Sequence, residues 1–173
     1  DQAWATDRMV SKFIVSLVKT LIEKKWDVTF VPVCESDIVF VEEVAKRINK
    51  SVSISYCYRS IRQTMDVLED FDLFIGEKLH STILSMCVRT PSIMLEYRPK
   101  CLDFMMSMEL EKYNIRTDKL NLDLVMNLLA ELYENMEYYQ KKICEKVNYY
   151  KNIQKERADI ITTKILEDNL CQK

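Results

Sequence analysis

Glycine is almost absent from this chain: Gly76 is the only one among 173 residues. Phosphate-binding motifs such as G-x-G-x-x-G and the P-loop need several glycines, because the backbone must come very close to the phosphate. The sequence therefore excludes both motifs from this chain.

Closely spaced cysteine pairs are also missing. The six cysteines are scattered along the chain, and no two have the short spacing that zinc sites and redox motifs need. Several lie in apolar runs, as Cys87 does, where a reduced cysteine behaves as a small hydrophobic residue. These features predict a reduced, cytoplasmic protein, and no cluster of ligands in the sequence indicates a metal site.

The chain also lacks a long apolar run and a surplus of one charge. No segment approaches the roughly 20 apolar residues that cross a bilayer, and 25 basic against 27 acidic residues give a net charge of −2. Nucleic acid and acidic membranes attract basic proteins, so neither is an expected partner. The opening Asp1-Gln2-Ala3-Trp4 has neither an initiator methionine nor the layout of a signal peptide, and we expect a longer parent protein.

What is present is a regular alternation of short β-rich runs and amphipathic segments. Apolar residues recur every three or four positions in the segments predicted to be helical. The predicted strands are 27–33, 52–56, 71–75, 91–97 and 113–117, and the predicted helices are 8–25, 38–48, 61–68, 82–88 and 102–108. This alternation is typical of an α/β fold, with a parallel sheet covered by helices on both faces.

The chain changes character at Asn121. From there the helical spacing of apolar residues continues without proline or glycine, which predicts one or two long helices extending to about Leu166. A coiled coil is a weaker alternative, because Tyr139 and Tyr150 fit a narrow seam poorly. We therefore divide the chain into an α/β domain over 1–120 and C-terminal helices over 121–173, packed on that domain or on another part of the protein.

One stretch concentrates the reactive side chains. Residues 71–75 form an apolar run that predicts a buried strand, and Gly76 follows it. Next come Lys78, the chain's only histidine, His80, and the hydroxyl of Ser81. Open α/β sheets bind ligands at the carboxyl ends of their strands, so the candidate site lies at this strand-turn-helix junction.

Three segments carry a resemblance to a known family. They are Asp72-Leu73-Phe74-Ile75-Gly76-Glu77-Lys78-Leu79-His80-Ser81, Thr90-Pro91-Ser92-Ile93 and Glu96-Tyr97-Arg98-Pro99-Lys100. Their order resembles the pattern of the polysaccharide pyruvyl transferase family: a strand, Arg-Leu-His-Ser/Ala, a helix, a proline-led strand, then Tyr and a nearby Lys. Val31-Pro32-Val33 and Asp37 are similar to a further strand-loop element, so the resemblance covers roughly residues 8–120. Lys78 stands where the family usually has arginine.

The resemblance implies a fold. It is a Rossmann-like parallel sheet sandwiched by helices with a long C-terminal helical segment, one half of a two-domain GT-B-like enzyme whose site lies between the domains. This chain would be the carboxyl-terminal domain, with its first strand upstream of Asp1 and a missing amino-terminal domain as its partner. Alone it would hold half a site and be inactive.

The resemblance also implies an activity. A pyruvyl group, in the form of enolpyruvyl carbons, would pass from phosphoenolpyruvate to a sugar hydroxyl of a glycan or lipid-linked precursor of a cell-surface polysaccharide or exopolysaccharide. Phosphoenolpyruvate would be the donor substrate, and no separate cofactor is expected.

Five residues receive roles from this resemblance and from their chemistry. Lys78 would bind the donor's phosphate or carboxylate, helped by backbone N–H groups where the next helix begins. His80 would act as acid or base or hold the phosphate, since a histidine ionises near neutral pH. Ser81 would donate to a phosphate oxygen. Tyr97 and Lys100, after the next strand, would line the same cleft.

Four of these residues also have purely structural interpretations. His80 could bond to nearby backbone at the helix start, and Lys78 and Lys100 could be solvated surface lysines. Tyr97 could belong to the core.

Three polar residues near the junction are interpreted first as helix caps. Ser81 and Thr82 stand near the start of one predicted helix, and Asp37 precedes the apolar-periodic run of another.

Two further functions stay open. One is a GT-B glycosyltransferase or epimerase domain that binds a nucleotide sugar, although such sites generally use glycine-bearing loops near the diphosphate. The other is a non-catalytic Rossmann-like module whose long helices bind another protein. Binding of phosphoenolpyruvate would favour the pyruvyl transferase, and binding of a nucleotide sugar would favour the glycosyltransferase or epimerase. Binding of neither ligand would favour the non-catalytic module.

Overall fold

The computed structural model describes residues 7–48 and 52–171, with side chains over 8–48 and 52–165. Along these residues the helices are α1 (Asp7–Glu23), α2 (Asp37–Ile48), α3 (Ile61–Glu69), α4 (Leu79–Cys87), α5 (Pro99–Ser107), α6 (Leu122–Glu134) and α7 (Met136–Cys171). The strands are β1 (Thr29–Phe30), β2 (Ser53–Ile54), β3 (Phe74–Gly76), β4 (Ser92–Glu96) and β5 (Asn114–Arg116).

Every strand pair in the described chain is parallel. β1 pairs with β2, and β4 lies between β3 and β5. Helix α4 packs on β3 and β4, and α5 packs on β4 and β5. The predicted α/β fold with parallel strands flanked by helices and a long C-terminal helix is confirmed, and it is consistent with a Rossmann-like domain.

The strands are shorter than predicted, and their hydrogen bonds form two sheets. β1 has two residues where the pattern predicted 27–33. Pro32 explains part of the difference, because a proline has no N–H to continue a ladder. β5 is an edge strand, as predicted.

Two helices begin three residues earlier than predicted. α4 begins at Leu79 rather than at Thr82, and α5 begins at Pro99 rather than at Leu102. Proline suits the first helical position, because an N–H there would have no partner within the helix, so the lack of one in proline costs nothing, and because the φ of proline is already helical. The predicted loop over residues 98–100 is therefore wrong, and Lys100 lies in the first turn of α5.

The main core joins the α/β part to the C-terminal helices. Ile93 and Leu95 of β4 pack in one cluster with Leu17 of α1, Val125 of α6 and Ile143 of α7. The predicted helical tail is confirmed as two helices, and α7 continues past the predicted end at Leu166. One predicted core position of α1 is wrong, since Met9 is 56% exposed.

None of the described helices combines the length and the apolar character needed to cross a membrane.

Three helices end in left-handed residues that are not glycine. Lys25, Arg89 and Glu109 have φ angles of 69°, 70° and 56° after α1, α4 and α5. After α4, the Thr90 N–H donates to the Ser85 carbonyl at 3.0 Å, which closes the helix end. Glycine usually occupies this position, because a Cβ makes the left-handed region unfavourable. The chain thus makes turns that its glycine content did not predict.

Candidate functional site

The carboxyl ends of β3 and β4 meet at one side of their sheet, because the two strands are adjacent and parallel. We call this side the carboxyl edge and define it as residues 76–80 and 96–100. All five of the predicted site residues lie on it or one residue beyond it, which places them at the ligand-binding end of an open α/β sheet.

Gly76 allows α4 to start directly against the sheet. A Cβ at this position would collide with the Thr82 hydroxyl oxygen and lie 3.2 Å from that of Ser81. Gly76 has no positive φ, so it is required for close approach rather than for an unusual turn.

The two hydroxyls at the start of α4 do not cap the helix. The N-cap residue is Lys78, whose side chain makes no capping hydrogen bond. Ser81 donates to the Lys78 carbonyl at 2.6 Å, and Thr82 donates to the Met94 sulfur at 3.1 Å. The cap interpretation of both residues is therefore wrong. Ser81 is 3% exposed and would have to give up its present acceptor before it could donate to a ligand.

Lys78 is held by an acidic partner at the start of helix α2. Its ammonium lies 3.3 Å from the carboxylate of Asp37, the first residue of α2. The second oxygen of Asp37 accepts the Val33 N–H at 3.3 Å. Partial burial lowers the pKa of Lys78, but the Asp37 carboxylate more than offsets it, and the net pKa is raised. Lys78 thus remains a cation at the site.

Asp37 has a different role from the predicted one. It lies inside α2, and its carboxylate binds Val33 and Lys78. It therefore joins the loop after β1 to the turn after β3.

His80 is an exposed residue in the first turn of α4. Its ring forms no hydrogen bond with any residue that the structure describes, so the backbone-bonded interpretation is not observed. The ring is therefore available to a ligand at the carboxyl edge.

Tyr97 and Lys100 form a second group after β4. The Lys100 ammonium lies 5.4 Å from the centroid of the Tyr97 ring, within the range of a cation–π contact. Tyr97 is half-buried against the main core, and Lys100 is exposed. This pair and the Lys78–His80 turn share the carboxyl edge, but within the described chain no hydrogen bond or ion pair joins them.

Sequence reasoning missed Glu96 in this region. This last residue of β4 is 4% exposed, and one of its carboxylate oxygens accepts the Asn114 amide at 2.6 Å. A signal existed, because Glu96 is the only charged residue at the end of an otherwise uncharged run, Ser92-Ile93-Met94-Leu95.

A cleft of about 830 Å³ lies away from the carboxyl edge, between the end of α5 and α7. Two of its three lysines, Lys142 and Lys146, already pair with Glu109. We therefore place the candidate site at the carboxyl edge, where the reactive residues lie, and not in this cleft, despite its volume. Over the described residues, no three His, Cys, Asp or Glu side chains are grouped as metal ligands would be.

Comparison with known proteins identifies the family of the chain. The family model described as polysaccharide pyruvyl transferase matches residues 2–99, which is more than half of the chain. The match contains the Lys78–Ser81 turn and Tyr97, and it ends one residue before Lys100, earlier than the expected end near residue 120. No curated protein and no solved structure shows significant similarity to the chain. The chain belongs to the polysaccharide pyruvyl transferase family.

Proposed function

We propose that this protein transfers a pyruvyl group from phosphoenolpyruvate to a sugar hydroxyl. The observation that carries the proposal is the β3–α4 junction, where the family match coincides with a cation and a histidine at an exposed helix start. The acceptor is a glycan or a lipid-linked sugar of polysaccharide synthesis, and the reaction takes place in the cytoplasm.

The donor's anionic groups bind at the start of α4. The first N–H groups of a helix point outward and attract anions, and no side chain caps them here. Lys78 adds a full positive charge beside them, and its pairing with Asp37 is exposed enough for a stronger anion to compete. A lysine gives a single compact charge where arginine would give a two-pronged contact. Donor binding therefore depends on both the helix start and Lys78.

His80 supplies the proton that the reaction needs. Its imidazolium protonates the methylene carbon of phosphoenolpyruvate while the acceptor hydroxyl forms a bond to the neighbouring carbon and releases its own proton. Phosphate then leaves with the electrons of its C–O bond, and a second hydroxyl can close a ketal. Ser81 turns its hydroxyl toward the phosphate, and Tyr97 and Lys100 line the adjacent part of the edge.

A second domain completes the site. His80 and Lys100 are exposed at the carboxyl edge, which suits a surface that another domain covers in a GT-B-like arrangement. That domain forms the opposite wall and selects the acceptor.

Calorimetric titration of phosphoenolpyruvate into the full-length protein tests this function. We compare the wild type with Lys78→Ala and His80→Ala, and we use Lys12→Ala, an exposed lysine of α1, as the matched control. The donor site is supported if phosphoenolpyruvate binds saturably and both site variants weaken this binding. The melting temperatures of the site variants should be unchanged, and the control variant should bind like the wild type.

The same titration separates the other functions. Binding of UDP-glucose in place of phosphoenolpyruvate supports a nucleotide-sugar enzyme. Binding of neither ligand by the folded protein contradicts the proposed function.

A further inference from the structure

The cleft between the end of α5 and α7 has the size of a ligand site. Its volume is about 830 Å³, which lies in the range of about 300–1,000 Å³ that is usual for small-molecule sites. The nine residues of α5 extend about 13 Å from the carboxyl edge, so the cleft at the far end of α5 is separate from the proposed donor site. The proposed reaction does not use it.

Two exposed tyrosines of α7 line this cleft. Tyr138 is 62% exposed and Tyr149 is 57% exposed. They are eleven positions apart, which puts them on the same face of the helix and about 16 Å apart along its axis. Exposed apolar groups collected in one cleft are typical of a surface that contacts a ligand.

Each exposed tyrosine is supported by the tyrosine that follows it. The rings of Tyr138 and Tyr139 stand edge to face, with centroids 5.1 Å apart. The rings of Tyr149 and Tyr150 repeat this arrangement at 5.2 Å. Both inner tyrosines pack against the main core, and the Tyr150 hydroxyl donates to the Ser107 carbonyl at 3.1 Å. The two exposed rings are therefore positioned before any ligand arrives, which lowers the entropic cost of binding.

A net positive charge lies between the two tyrosines. Lys141, Lys142, Lys146 and Glu145 of α7 line the cleft together with Glu109, which gives three positive and two negative groups. Lys141 is exposed and forms no ion pair with any residue that the structure describes. The cleft can therefore accept an anionic group without losing an ion pair of its own.

Glu109 shows that the centre of the cleft holds a carboxylate well. Its carboxylate lies 3.8 Å from the Lys142 ammonium and also pairs with Lys146. Lys142 donates to the Glu109 backbone carbonyl at 2.9 Å. The hydrogen bond from Lys146 is the main cause that lowers the pKa of Glu109, so this carboxylate is charged. A carboxylate brought by a ligand would meet the same kind of partner at Lys141.

The combination of ring platforms and charged groups favours a sugar chain. One face of a sugar ring carries C–H groups that pack on the negative face of an aromatic ring, and its hydroxyls bond to lysine and glutamate. The distance between Tyr138 and Tyr149 exceeds one sugar ring and suits an extended oligosaccharide. Nucleic acid would need a larger positive surplus, and a membrane would need a continuous basic or apolar face. Glu109 and Glu145 oppose both.

We propose that the cleft between α5 and α7 binds an acidic oligosaccharide. Its sugar rings stack on Tyr138 and Tyr149, and an acid group between these rings binds Lys141. This site goes beyond the proposed function, because it holds a sugar chain away from the carboxyl edge and takes no part in pyruvyl transfer.

The test is calorimetric titration of tetramannuronate, an acidic tetrasaccharide, into the full-length protein at low ionic strength, with neutral cellotetraose for comparison. Tyr138→Ala and Tyr149→Ala should each weaken tetramannuronate binding about three- to tenfold. The phenylalanine variants at these two positions keep the rings and should retain most of the affinity. Lys141→Ala should weaken tetramannuronate binding about two- to fivefold and leave cellotetraose binding unchanged.

Two matched controls lie outside the cleft. Tyr133 of α6 is an exposed tyrosine that also stands edge to face with an aromatic ring, that of Trp26, at 5.1 Å. Lys155 is an exposed lysine farther along α7. Tyr133→Ala and Lys155→Ala should bind tetramannuronate like the wild type.

The contrary outcomes are specific. Tetramannuronate that does not bind saturably to the folded wild type at millimolar concentration overturns the inference. Unchanged binding in both cleft alanine variants, or an equal loss in Tyr133→Ala, also overturns it, since either result places the sugar elsewhere. Cellotetraose that binds as tightly as tetramannuronate contradicts an acidic ligand. The titration contains no phosphoenolpyruvate, so none of these results affects the proposed function.

Discussion

Replacement of Arg89 by glycine should stabilise the protein. Arg89 is exposed and has a φ angle of 70° after α4. A residue with a Cβ loses about 1–2 kcal/mol in this conformation, and glycine does not. Glycine also makes the unfolded chain more flexible, which lowers the free energy of unfolding by about 0.5–1 kcal/mol. The expected net gain in the free energy of unfolding is about 0.5–1 kcal/mol, or roughly 2 °C in melting temperature for a chain of this size.

Urea denaturation measures this gain, and Arg89→Ala is its control. The alanine variant removes the arginine side chain but keeps the Cβ and the left-handed strain, so its stability should stay within about 0.5 kcal/mol of the wild type. A glycine variant no more stable than the alanine variant would refute the reasoning that the chain carries strain at its helix ends.

Three further perturbations test the fold and the site. Gly76→Ala should lower the free energy of unfolding by about 1–3 kcal/mol, because the added Cβ collides with Thr82; an unchanged denaturation midpoint would contradict it. The pKa of Glu131 is lowered, chiefly by its hydrogen bond to Lys112. The ionised Glu131 therefore stabilises the folded protein at pH values above its unfolded pKa of about 4.3. This stabilisation is lost as the pH falls through the lower pKa that Glu131 has in the folded protein. Glu131→Gln should thus flatten the acid limb of melting temperature against pH, and an unchanged limb would rule this out. Lys78→Arg should bind phosphoenolpyruvate up to about tenfold more tightly in calorimetry, because guanidinium offers two parallel hydrogen bonds; weaker binding would count against Lys78 as the donor's cation.

The α/β fold was predictable because local patterns determine it. Apolar spacing located α1 and the helical tail, and the run before Gly76 located β3, since both patterns reflect which face of an element is buried. Strand ends were less predictable, because ladder hydrogen bonds depend on the neighbouring strand as well as on the segment itself. The start of α5 was missed although Pro99 signalled it.

The site was predictable only in part. The order strand, glycine, cation, histidine was enough to place Lys78 and His80 at the carboxyl edge. The pairing of Lys78 with Asp37 depends on how the two sheets lie together, which no local pattern encodes. Glu96 was missed although the uncharged run before it was a signal, because its burial and its hydrogen bond to Asn114 of β5 depend on the tertiary fold.

The single histidine permits the most direct test of the central claim that the start of α4 binds the donor. In the 173-residue chain expressed by itself without a histidine tag, the imidazole proton resonances of His80 need no assignment, because these residues include no other histidine. Titration with phosphoenolpyruvate should shift these resonances saturably, and the shift should be lost in Lys78→Ala. Resonances that stay in place in the folded protein at saturating phosphoenolpyruvate would contradict a donor site at the start of α4.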